Sequence, residues 1–156
     1  MSPSVPTGDL TLESDRTADG TEVSTVVAEL PTGTVVRLRI ADHFMLVSEL
    51  RGIERELTIL AHPTEVAKQE VLSPRIAPPE VWYSPWTVDL YGIVEAVDVE
   101  PTPSNSDHVH VLDVGVGSIY LHPTVSDRLP ESDRPLRKGD ELYLPSAELT
   151  MWELHP

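Results

Sequence analysis

Twenty-six acidic residues against eleven basic ones, in 156, give a formal net charge of −15, and cysteine is absent. Disulfides, thiolate metal sites and thiol nucleophiles are therefore excluded, and binding to a phosphate backbone at ordinary salt is opposed by the protein's own field. Fifteen prolines and a single phenylalanine argue against long helices and for an all-β chain with minor α content.

Acids and bases number five and one in residues 1–22, twelve and six in 23–100, and nine and four in 101–156. The acidity is therefore global, unlike an acidic tail. With only two lysines, Lys68 and Lys138, this bias is that of a salt-adapted archaeal protein, or of a high-GC actinobacterium or phage. At molar salt, charge repulsion is screened within about 3 Å, which leaves nucleic acid as a disfavoured but permitted partner. No run of about 18 apolar residues is present and the N-terminus lacks a basic and then apolar leader. The expectation is no membrane association and a cytoplasmic location, or a virion if the protein is viral.

Residues 1–22 carry Val5, Leu10 and Leu12 among Ser, Pro, Thr, Gly and acids. They read as an extended arm that buries too little surface to order itself and so calls for a neighbouring subunit. Strands are expected at 23–30, 34–40, 44–50 and 53–60, joined by short turns into a meander. Residues 62–72 form the best helix candidate, with Thr64 as N-cap and Ser73-Pro74 as the stop. Residues 73–85 form a stiff proline-rich connector.

The stretch Trp86 to Val99 organises the rest. Val88, Leu90 and Val94 share one parity and Thr87, Asp89 and Glu95 the other, as in a strand buried on one face. Val97 and Val99 then change parity, which predicts a β-bulge, and Gly92 offers a bend. Residues 108–122 return as a coiled strand pair in which a second bulge is expected. A helical turn at 123–132, a Lys-Gly-Asp turn at 138–140 and two strands at 141–144 and 148–154 follow. This order looks like an OB-type barrel over 86–156, beside an N-terminal meander over 23–72; the two parts can also form one compact domain. "ILAHPT" (59–64) and "IYLHPT" (119–124) echo each other, through duplication or through convergence on a Pro-Thr start.

Candidate chemistry is thin. His108 and His110 leave one strand face and, with His122, can be drawn as a facial metal site; an ordinary solvated strand face is the competing reading. A Ser118, His122, Asp127 triad lacks a nucleophile elbow, and Gly115-x-Gly117 lacks the rest of a dinucleotide loop. Arg37, Arg39, Arg51 and Arg55 are the basic concentration, suited either to a phosphate-tracking groove or to pairing with glutamates on neighbouring strands. Trp82, Tyr83 and Trp86 either contact a partner or pin the connector to the barrel.

The functional expectation is a non-enzymatic structural or interaction subunit of a larger assembly, without cofactor. It would form homo- or hetero-oligomers through the N-terminal arm and barrel edges, for instance as a head, connector or tail component of a virion. The alternatives are an OB-like binder of single-stranded nucleic acid and a small histidine-ligated metal enzyme.

Overall fold

The computed structural model describes residues 4–7, 10–16, 20, 22–40, 55–80, 87–100, 108–128 and 136–155. It is nearly all β, with a mixed sheet, as composition predicts. The strands are β1 (Val5–Thr7), β2 (Leu10–Arg16), β3 (Glu22–Glu29), β4 (Val35–Ile40), β5 (Arg55–His62), β6 (Ala67–Lys68), β7 (Arg75–Ala77), β8 (Thr87–Val99), β9 (Val109–Asp113), β10 (Ser118–Leu121) and β11 (Glu141–His155). A 3-10 helix over Pro123–Arg128 fills the position where one helical turn is expected.

β8 behaves as the sequence pattern dictates. Val88, Leu90 and Val94 are buried on its inner face. The register against β9 shifts between Val94 and Ala96 and again between Ala96 and Val99, where the parity of the sequence slips. Gly92 is required by proximity rather than by bending. A Cβ there would lie 2.5 Å from Leu112 Cγ and 2.8 Å from the Asp113 carbonyl oxygen, inside any real contact.

The second expected bulge is absent from the β9–β10 pairing, which runs in unbroken register from Asp113↔Ser118 to His110↔Leu121. Val109 and Val111 bury against Tyr120 in a small second cluster, whereas Leu112 and Val114 enter the main core. Apolar residues of both parities therefore reflect two buried faces of one regular strand, a pattern that parity alone cannot distinguish from a bulge.

Three further expectations are corrected. Residues 62–72 are not a helix: Ala67 and Lys68 form β6 against Tyr143 and Leu142 of β11. Leu149 faces Ala61 and Tyr143 faces Ala67, equal steps along both segments, so β6 resumes β5 in the same register after an interruption. The Thr64 hydroxyl, expected to cap a helix, instead lies 3.0 and 3.1 Å from the carbonyl oxygens of Pro145 and Ser146. The Glu141 carboxylate accepts from the Val71 amide at 3.2 Å. A two-turn helix cannot compete with these long-range bonds.

The meander is likewise interrupted. β3 and β4 form a hairpin, but β4 next meets β11, in parallel, and β5 pairs with β1, β10 and β11. The expected strand at 44–50 lies outside the described residues. Finally, the two strands expected at 141–144 and 148–154 are one, β11, bulged between Leu144 and Ala147.

The described residues of the N-terminal arm pair within their own chain. β1 pairs with β5, β2 with β3, and Val5 is fully buried. Ser4 presents its carbonyl to the Ser118 amide at 3.2 Å, and at Gly117 a Cβ would collide with that same carbonyl oxygen. One main core runs from Val5 through Val26, Leu57, Leu90 and Leu121 to Met151, drawing on both halves of the sequence.

Candidate functional site

The three histidines expected to share a metal do not come together. His110 pairs with Leu121 and shares its inner face, whereas His122 follows Tyr120 onto the outer face, and His108 is exposed. His110 is buried, and its Nδ1 accepts the Asp98 amide at 3.2 Å. Burial lowers its pKa, partly offset by the Asp98 carboxylate. The His122 Nδ1 lies 3.1 Å from the Thr124 hydroxyl and accepts the Thr124 amide at 3.3 Å, capping the 3-10 helix. Among the described residues, no three side chains of metal-ligating type cluster closely enough to hold an ion. Ser118 is likewise engaged elsewhere, donating to Glu95 at 2.8 Å.

His122 instead meets His62, with ring centroids 5.0 Å apart and planes inclined by 31°. The repeated hexapeptide explains the encounter. β5 and β10 are parallel neighbours with Leu60↔Tyr120 and Ala61↔Leu121, so the two "HPT" segments leave the sheet side by side. The Ala61 carbonyl accepts the His122 amide at 2.9 Å. Burial first, then His122, depresses the His62 pKa; Glu148 opposes that shift and Arg39 adds to it. His62 is therefore held toward the neutral form, which suits strand-end packing better than proton carriage at neutral pH.

Of the four arginines, Arg37 and Arg39 lie on β4 opposite Val27 and Thr25, and Arg55 opens β5 opposite Thr7. Arg51, Trp82, Tyr83 and Trp86 lie outside the described residues. On β3, Glu29 is in register with Val35.

A different constellation emerges on the outer face of β8 and β11. Register places Arg75, Tyr91, Tyr143 and Ala67 in one row across β7, β8, β11 and β6. The Arg75 guanidinium sits 3.9 Å over the Tyr91 ring centroid. Tyr91 and Tyr143 stack at 4.7 Å with planes inclined by 22°. Both rings are half-buried. Burial, with the Asp89 carboxylate and the Tyr91 hydroxyl beside it, pushes the Tyr143 phenol up to about 12.

Beside this row Asp89 is only 1 % exposed, although its parity assigns it to the outer face. One carboxylate oxygen accepts the Ser146 amide at 2.9 Å and the other the Glu80 amide at 3.2 Å. It thereby ties the connector and the β11 bulge to β8. Sequence reading missed the row because its members come from four separate strands. The available signal was parity: Asp89 and Tyr91 share a face in any regular strand. No protein-family model, no curated protein and no solved structure matches this chain.

Proposed function

We propose that the protein is a non-enzymatic interaction subunit of a larger protein assembly, built on a small OB-like barrel. Support for the barrel comes from a circuit of pairings: β5, β10, β9, β8 and β11 succeed one another, and β11 returns to β5. Long bulged strands that change partners are the means by which short sheets close. The circuit includes β5, so such a barrel draws on more than residues 86–156.

The observation that carries the functional reading is the aromatic row and what borders it. Arg75, Tyr91 and Tyr143 form a preorganised patch of the residue types favoured at protein contacts. The loop joining β6 to β7, the two strands that bound the row, carries Leu72 at 88 % exposure. Meanwhile His110, His122, Ser118 and Asp89, the groups with chemical potential, are each committed to structural hydrogen bonds. A virion head, connector or tail component is the narrower form of this reading.

The test is native mass spectrometry of the chain co-expressed with the proteins encoded beside it, at low and at molar salt. A complex of fixed stoichiometry that weakens on Leu72→Asp is the expected result. A monomer in every combination and at both salts overturns the proposal. Binding of single-stranded nucleic acid is the second reading, favoured by the stacked tyrosines and Arg75, since bases stack on such rings. Oligonucleotide binding that persists in molar salt would select it.

A further inference from the structure

We propose that the face of Tyr143 turned toward Ala67 is a slot for an arginine side chain of the protein partner. The inference deepens the interaction-subunit reading and rests on it.

The chain displays the binding mode on itself. In the row Arg75, Tyr91, Tyr143, Ala67, the guanidinium of Arg75 covers the side of Tyr91 facing β7, and Tyr143 covers the side facing β11. Each ring face is thus closed by a flat group until the row reaches β6. There the residue opposite Tyr143 is Ala67, whose methyl group is too small to cover a phenol ring. The sequence places a full-sized ring beside a minimal side chain at the one end of the row where a strand of only two residues forms the border.

The surroundings select charge. Glu65 and Gln69 flank Ala67 and are exposed, Glu141 lies two residues before Tyr143 on the same strand, and Asp89 and Glu80 act electrostatically on Tyr143. The nearest lysine, Lys68, is neutralised by Asp140 at 3.4 Å. A planar cation fits this combination of π-face and carboxylates. A guanidinium stacks flat while donating in its plane, whereas an ammonium is a compact, strongly hydrated charge that gains less from a ring. The partner segment is therefore basic and arginine-bearing, which also suits a docking protein of net charge −15.

The experiment titrates the full-length protein with a flexible peptide of four arginines spaced by Gly-Ser, and with its all-lysine counterpart, at low salt and at 0.5 M salt. The readout is the Ala67 methyl resonance, which a cation entering against the Tyr143 ring must move. The arginine peptide should bind about fivefold tighter than the lysine peptide and keep that preference at high salt, a ratio in line with an exposed cation–π contact. Tyr143→Ala and Ala67→Leu should each abolish the preference, the second by filling the slot without removing the ring. Equal affinities for both peptides, or a preference that survives Tyr143→Ala, overturn the slot. A complex seen by native mass spectrometry without any arginine preference would retire the slot and leave the interaction reading in place.

Discussion

The long strands β8 and β11 each contain a bulge built around a non-glycine residue in the left-handed region, and the two are held in unlike ways. In β8 it is Asp98, with φ 50°; in β11 it is Ser146, with φ 52°. Each has its backbone N–H bonded to a side chain from elsewhere in the sheet: Asp98 to the imidazole of His110 at 3.2 Å, Ser146 to the carboxylate of Asp89 at 2.9 Å. Such a conformation costs of order 1–2 kcal/mol and persists only where neighbours over-determine it. The acceptors differ in consequence. The carboxyl group beneath Ser146 serves two amides and keeps acceptor lone pairs in either protonation state, whereas an imidazole nitrogen accepts only while the ring is neutral. Similar strain is thus clamped once by a permanent device and once by a conditional one.

The largest expected effect breaks the permanent clamp. Asp89→Ala strands the buried amide of Ser146 and the part-buried amide of Glu80 together and should cost about 2–3 kcal/mol in urea unfolding at pH 7, most of it from the Ser146 bond. Loss of less than about 1 kcal/mol would mean that the bulge holds itself.

The conditional clamp predicts a pH dependence. Burial lowers the His110 and His62 pKa values in the folded state from the ordinary imidazole value of about 6.5. The unfolded chain therefore binds more protons below that value, so stability falls as pH drops through about 6.5 and levels off below the folded-state pKa values. His110→Gln, which retains an acceptor but cannot titrate, should flatten that slope in part, and His110→Gln with His62→Gln should flatten it further. Acid-induced loss identical to wild type in the double variant would dissociate the histidines from the effect. At pH 8, His110→Leu should cost about 1–2 kcal/mol, the penalty for leaving the Asp98 amide without its acceptor.

The smallest effects are gains. Ser146→Gly should stabilise by about 1 kcal/mol, because glycine adopts the left-handed region freely. Asp98→Gly should gain less, since aspartate tolerates that region better than serine does. Equal melting-temperature shifts for the two variants would remove this distinction between the bulges.

How far these features can be read from the sequence follows from the range of the interactions involved. The β8 bulge is legible because apolar residues lie on both sides of the parity slip, Val94 before it and Val97 and Val99 after. The β11 bulge is hidden, because Pro145-Ser146 reads as a break between two strands rather than as one strand crossing a kink. Asp89 looks solvent-facing by parity alone; what covers it is the connector around Glu80, a contact made outside the strand. The helix expected at 62–72 fails for the same reason: local capping signals carry no information on the β11 backbone that outcompetes them. The candidate site was least legible of all. Tyr143 stands out as an aromatic, but its neighbours Tyr91 and Arg75 become neighbours only through register. The hexapeptide echo is the opposite case, since an in-register parallel pairing gives two similar strand ends the same surroundings.

β11 has consequences for the time course of folding as well as for the final structure. It is the latest of the described strands in chain order, and it contacts β8 and β4 along one edge and β5 and β6 along the other. Until it is in place, four strands have an edge without its eventual occupant, and the Val71 amide lacks the Glu141 carboxylate that accepts it. A chain emerging from the ribosome must therefore carry its earlier strands incompletely paired until residues 141–155 are released. Non-local closure of this kind slows folding and prolongs exposure of sheet edges. During that interval the high density of negative charge keeps unfinished chains apart. The acidity that colours the whole sequence thus protects the molecule most before it is folded.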